Sequence, residues 1–209
     1  MKRTNTWMMV CAFGLMVGCG GPLEEEAAPP EVPEGQEQEE LFTQTIVRQL
    51  ADGTMTQETT FITRKEQLAQ LAEREALLKS LGKGVTQQDL DDLVTDGSCA
   101  GSSLWLFDQT NLAGRQLCLY KQAGASQGWL SLTSIIRYFD GVGSIYTWSG
   151  AVRSLWAGQH PGSLLCCTST LCYSDFGQNF VAYEKIPVTV VTPPLGGTRR
   201  LNQAYLYNP

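Results

Sequence analysis

Residues 98–187 most constrain what this chain can fold into. They hold only five basic and four acidic side chains, and Gly, Ser, aromatic and branched residues dominate. Their apolar runs are short: Leu104–Phe107, Gln116–Tyr120, Trp129–Ile136, Ser144–Trp148, Val152–Trp156, Leu164–Thr168 and Phe180–Tyr183. Gly and Asp-Gly signals separate them, and no helix of ordinary length fits in this part. Runs of this length bounded by turn residues read as strands, and many of them in succession read as an antiparallel sandwich or barrel. The expectation is a mainly β fold.

The preceding stretch, 41–94, has a different grammar and reads as a small hairpin plus helices. Phe42, Gln44, Ile46 and Arg48 would share one face of a first strand, with Thr43, Thr45 and Val47 on the other. Asp52-Gly53 supplies a turn, and Met55 to Thr63 returns. Thr63-Arg64-Lys65-Glu66 is a capping box that opens a helix. Leu68, Leu71, Ala72 and Leu78 fall near one helical face, and Gly82 would end it. A second short helix is expected from Thr86, holding Leu90 and Leu93. Residues 188–209 read as a tail: one strand at Val188–Val191, then a loose end beyond Pro193-Pro194, with Tyr205 and Tyr207 packing back.

The N-terminal stretch reads as targeting and spacing rather than as structure. Lys2 and Arg3 precede an 11-residue apolar run, Met8–Gly18, too short to span a bilayer and shaped like a secretory signal. Leu15-Met16-Val17-Gly18-Cys19 resembles a bacterial lipobox. That resemblance implies cleavage of residues 1–18, diacylglycerol on the Cys19 sulfur with palmitate as a tracer, and a membrane anchor. Gly20, in place of the Asp associated with inner-membrane retention, implies the outer membrane of the cell envelope. Residues 19–40 then form a tether: positions 23–40 hold eight Glu and no Lys or Arg. Like charges and prolines keep such a segment extended. Residues 41–209 carry 13 basic and 13 acidic residues, so the chain's net charge of −6 comes from the −8 of the tether offset by Lys2 and Arg3. No basic stripe marks a nucleic-acid surface.

Within 98–187 a pattern recurs. Phe107-Asp108-Gln109-Thr110-Asn111-Leu112-Ala113-Gly114 is an aromatic, six residues and Gly; Trp156 to Gly162 is the same with five. Cys118 and Cys166 each follow the Gly by four positions. Such a unit places a ring over a folded hairpin whose Gly takes positive φ or a close approach, and a hydroxyl from a later strand pairs its exposed amides. This resembles the βγ-crystallin Greek key motif. The resemblance implies a two-motif Greek key sandwich, with Phe107, Gly114, Trp156 and Gly162 as its framework and Ser144 pinning the first hairpin. Asn179 or Ser174 would pin the second.

The repeat also organises the cysteines, with Cys118 and Cys166 at equivalent places. An exported chain meets an oxidising compartment. Five thiols remain after Cys11 and Cys19, an odd number that leaves one unpaired or bridging chains. Cys99 could reach Cys118, and Cys172 could close a short loop with Cys166 or Cys167, which face opposite ways along one strand. The favoured pairs are Cys99–Cys118 and Cys167–Cys172. With one His and no CxxC pair, zinc is not expected. Many microbial members of that family bind calcium, but in Phe139-Asp140-Gly141-Val142-Gly143-Ser144 two donor positions are Phe139 and Gly143, and Asp140 and Asp175 read as turn residues. No calcium or other cofactor is expected.

Catalysis is not expected either. His160 would sit in a surface turn. Gly124-Ala125-Ser126-Gln127-Gly128 fits the letters of a nucleophile elbow but precedes a strand instead of a helix. Asp108, Asp140 and Asp175 lie in expected turns. The reading is a non-enzymatic, lipid-anchored surface protein with a structural or binding role. Two alternatives accompany it. One is inhibition of an exported protease, because a streptomycete metalloprotease inhibitor group shares the fold; a loop at 121–128 is the candidate. The other is a calcium-dependent coat or matrix role.

Overall fold

The computed structural model describes residues 39–50, 52–81, 97–121, 128–168, 171–189 and 200–207. Residues 1–38 with the lipobox and most of the tether, the helix expected from Thr86, Gly82 and the Ser126 motif therefore lie outside the described residues. The described part belongs to one unit, Gln38–Pro209.

The first strands follow their sequence signals. β1 (Leu41–Gln49) and β2 (Met55–Thr63) pair antiparallel without a slip from Leu41↔Thr63 to Gln49↔Met55. Gly53 takes φ +84°, and the Asp52 carboxylate accepts the Thr54 amide at 2.8 Å, as an Asp-Gly turn requires. Helix α1 (Arg64–Ser80) begins at once. Thr63 Oγ1 accepts the Glu66 amide at 3.1 Å and Glu66 Oε2 accepts the Thr63 amide at 2.7 Å, a complete capping box.

The remaining strands are β3 (Leu104–Gln109), β4 (Ala113–Lys121), β5 (Gly128–Ser131), β6 (Ile136–Phe139), β7 (Ile145–Thr147), β8 (Ser154–Ala157), β9 (Gly162–Cys167), β10 (Cys172–Phe180), β11 (Lys185–Ile186) and β12 (Gln203–Leu206). They form a six-stranded sheet in the order β11-β8-β3-β4-β1-β2, a four-stranded sheet in the order β10-β9-β12-β5, and a separate β6-β7 ribbon. The fold is a mainly β sandwich. Leaving the ribbon aside, β3-β4-β5-β8 and β9-β10-β11-β12 are two sets of four, and each lends its third strand to the opposite sheet. The first hairpin is not a separate body. β1 runs parallel to β4, from Gln44↔Gln116 to Gln49↔Lys121, a pairing that needs a long crossover; α1 lies within that crossover.

Three expectations are corrected. Trp156 lies in β8 and Gly162 opens β9, so 158–161 carries the chain from one sheet to the other and is not a second hairpin. The second set's hairpin is β9–β10, and Cys118 and Cys166 occupy different strands of their sets. Gly162 is needed for a close approach: a Cβ there would strike Tyr205 O and the Phe180 ring. A crossing between sheets and a hairpin differ by only one residue in their spacing of aromatic and glycine, five against six, so spacing alone does not separate them. In the expected tail, Gln203–Leu206 is a strand between β9 and β5.

At β3, β4 and β8 the six-stranded sheet is buried on both faces. One face, with Leu104, Leu106, Leu117, Leu119 and Leu155, shares a core with Leu164 of the other sheet. The other, with Ile46, Trp105, Phe107, Cys118, Tyr120 and Trp156, receives Leu71 and Leu78 of α1. Burial on both faces explains why Leu104-Trp105-Leu106-Phe107 is continuously apolar rather than alternating. The helix face differs from the expected one. Leu68 is 50% exposed, while Gln67 and Arg74 are buried. Gln67 Nε2 donates to Gly114 O at 2.7 Å and to Gln116 Oε1 at 2.9 Å, and Gln116 in turn donates to Gln44 and to Gln70. Arg74 donates to Ala100 O (2.7 Å), Ser102 O (2.9 Å) and Trp156 O (3.1 Å), with its guanidinium over the Trp105 and Trp156 rings. Burial pushes it down to about 10, so it stays charged at neutral pH.

Candidate functional site

The Phe107–Gly114 hairpin folds as the sequence demands, but a different residue closes it. Phe107 is fully buried, and Leu112 of the hairpin packs on its cluster. Asn111 (φ 59°) and Leu112 (φ 56°) are left-handed, as is Gly114 (φ 81°), where a Cβ would strike Asp108 and Gln109. Ser154 Oγ accepts the Leu112 amide at 3.0 Å and donates to Gln109 O at 2.6 Å. Ser144 is exposed, and its amide donates to Asp140 Oδ1 at 3.0 Å. The ribbon β6-β7 intervenes between β5 and β8, which displaces the closing serine from Ser144 to Ser154. A lone hydroxyl opening the apolar run Ser154–Ala157 was the available signal.

Asn202 holds the corresponding place in the second set, just before β12. Its side chain accepts the Cys167 amide at 2.8 Å and donates to Cys167 O at 2.6 Å. Asn179 instead accepts from Ser163 Oγ at 2.7 Å. The bridges Cys99–Cys118 and Cys167–Cys172 are both present, and Cys166 is a buried free thiol.

The surface feature with the most chemistry is a groove of about 390 Å³ between the β1-β2 hairpin and the β6-β7 ribbon. Leu41, Thr43, Gln57, Thr59 and Phe61 form one wall, Ile136 to Phe139 the other, and Arg115 contributes as well. Thr43 Oγ1 donates to Arg137 O at 2.9 Å and ties the walls together. Asp108 is not in a turn but in β3, with its side chain only 4% exposed. Its Oδ2 pairs with Arg115 at 3.3 Å and Arg137 at 3.2 Å, while Oδ1 accepts the Arg115 amide at 2.8 Å. Both guanidiniums lie over the Tyr138 ring, at 4.3 and 4.9 Å from its centroid, and Tyr138 stacks on Tyr146 at 4.5 Å. One buried carboxylate thus fixes two cations against an aromatic platform.

The ribbon tip is unusually apolar for exposed chain: Phe139, Val142 (88% exposed), Ile145 and Tyr146. Its turn is set by Asp140, whose Oδ1 accepts the Val142 and Ser144 amides at 2.9 and 3.0 Å. Hydrogen bonds from Ser144, then from Val142, hold the Asp140 carboxyl below its ordinary range. Asp140 is a turn residue as expected; Asp175 lies in β10 instead. Among the described residues no group of three or more His, Cys, Asp or Glu side chains could hold a metal ion.

His160 is not on a surface turn: it is buried, with Nδ1 3.2 Å from Tyr207 O and Nε2 3.4 Å from Gln159 Nε2. Glu184 accepts the Val181 amide at 2.8 Å. Of the loop at 121–128, Lys121 and Gly128 alone are among the described residues. No family model matches the chain, and no significant similarity connects it to a curated protein or a solved structure.

Proposed function

We propose that this chain is a non-enzymatic lipoprotein of the cell envelope, anchored through Cys19, that displays a βγ-crystallin-like module with a binding role. The observation that carries the reading is the exchange of third strands between the two sets of four, β5 and β11. It is accompanied by the Phe107–Gly114 hairpin and by Ser154, which supplies the hydroxyl contact that the resemblance calls for. The groove over Tyr138 is the contact surface. Its apolar walls and fixed guanidiniums suit recognition better than proton transfer, since the one buried carboxylate beside it is engaged by two arginines.

The anchor is tested by metabolic labelling with palmitate. Label in the wild type that disappears in Cys19→Ser supports it, and an unlabelled wild type removes it. Fractionation of the labelled cells then reports whether the chain resides in the outer membrane. Titration of the purified protein against exported metalloproteases tests the inhibitory alternative; nanomolar inhibition would put that activity in place of a general binding role.

A further inference from the structure

The β6-β7 ribbon has a second concave flank. A polar cavity of about 470 Å³ is lined there by Arg137, Arg153 and Arg200, with Thr147 and Ser149 among its hydroxyls. Among the described residues no carboxylate lines it. Arg137 is shared with the aromatic groove, and its one acidic partner, Asp108, is divided between Arg137 and Arg115. Arg153 Nη1 is turned onto Gly150 O at 3.0 Å and Val152 O at 3.2 Å, which fixes its head and leaves its other N–H groups for a ligand. The Arg200 stem packs over Gly150, where a Cβ would lie 2.7 Å from Cδ. Its guanidinium has no hydrogen-bond or ion-pair partner among the described residues.

Three cations line this one small cavity, and like charges repel over a screening length of roughly 8–10 Å. Residues 41–209 are neutral as a whole, so this local excess is not the overflow of a basic chain. An oxyanion offers several acceptor oxygens to forked donors and relieves the repulsion. We propose that the cavity lined by Arg137, Arg153 and Arg200 is a binding site for a phosphate or sulfate group. Hydroxyls of Thr147 and Ser149 complete the donor set. The site is independent of how the chain is anchored.

The test uses the full chain carrying Cys19→Ser, so that acylation does not contribute. Inorganic phosphate and sulfate are titrated at constant ionic strength against chloride, reading the amide resonances of Thr147 and Ser149. Saturable shifts are expected with Kd near about 1 mM, weakened about tenfold by Arg153→Gln or Arg200→Gln. Arg48→Gln, at an arginine paired with Glu58 in the β1-β2 hairpin, leaves the affinity unchanged. Flotation with vesicles of phosphatidylcholine, with and without phosphatidic acid, identifies the source. Retention on acidic vesicles that is lost in Arg153→Gln/Arg200→Gln assigns a lipid headgroup; binding of the soluble anions alone assigns a free phosphate or sulfate. Absence of saturation by about 10 mM in the wild type, on a scale where 1 mM is only about 4 kcal/mol, overturns the proposal. So does affinity that survives in the double variant. Both side chains are exposed, and near-UV circular dichroism of the variants verifies the fold; were they to misfold, wild-type saturation over chloride decides alone.

Discussion

Ser154 secures Leu112: its hydroxyl oxygen takes the Leu112 amide at 3.0 Å while its proton goes to Gln109 O at 2.6 Å. Removing that hydroxyl leaves a donor and an acceptor of a left-handed turn unpaired beneath a fully buried ring. Ser154→Ala should cost about 1–3 kcal/mol, whereas Ser144→Ala, at an exposed turn, should stay within about 0.5 kcal/mol. Urea unfolding of the two variants separates them, and a larger loss at Ser144 would reverse the assignment.

Arg74 joins α1 to both the 100–102 segment and β8. Arg74→Met removes donors from three carbonyls and should destabilise by about 2–4 kcal/mol, after the relief of burying a charge is counted. Its titration gives a second signature. The folded value, about 10, lies below the unfolded one, so the native state releases this proton first. The unfolded chain then binds more protons above that point, and stability rises with pH there. The difference between wild type and Arg74→Met should be flat from about pH 6 to 9 and should shift in favour of the wild type above about pH 10. Paired denaturation curves across that range measure it.

The capping box predicts acid sensitivity at the start of α1. Hydrogen bonds from the Thr63 amide and hydroxyl lower the Glu66 carboxyl, so its contribution is present above the unfolded value and is lost as pH falls through the lower, folded one. Thr63→Ala should cost about 0.5–2 kcal/mol at neutral pH, and the cost should shrink in acid as Glu66, held below its ordinary range by Thr63, becomes protonated. Amide exchange in the first turn of α1 reports it directly.

The two bridges close loops of different length, with sequence separations of 19 and 5. Loop-closure entropy makes Cys99–Cys118 the stronger of the two, about 3 kcal/mol against about 2. Serine pairs in place of each bridge, compared by thermal and urea unfolding, should preserve that order.

Calcium at millimolar concentration should leave the melting temperature unchanged. Asp140 Oδ1 is engaged by two turn amides, and Phe139 presents a ring where a donor would be required. A rise in melting temperature with calcium would show binding to the native state and restore the coat or matrix alternative.

Local chemistry was the legible part of this sequence. The Asp52-Gly53 turn, the Thr63–Glu66 box, the Phe107–Gly114 hairpin and both cysteine pairs depend on neighbours in the chain, or on two residues flanking one hairpin, and their residue types announce them. What sequence reasoning missed depends on distant strands. Gln67 and Arg74 look like solvent-facing helix residues, because their partners Gln116 and Trp156 are 49 and 82 positions away. Trp156 and Gly162 mimic a hairpin because a passage between sheets satisfies nearly the same spacing, one residue shorter. The groove is not legible in the sequence because Asp108, Arg115, Arg137 and Tyr138 are ordinary letters until β3, β4 and β6 bring them together.

β12 occupies the middle of the four-stranded sheet, between β9 and β5. A nascent chain that has not yet delivered residue 206 leaves β5 with no partner in that sheet and keeps one side of the central apolar layer open to water. Assembly of the sandwich is therefore expected to complete late and cooperatively rather than by stepwise accretion of hairpins. Any truncation or bulky fusion that blocks Gln203–Leu206 should yield an aggregation-prone product, not a slightly weakened one.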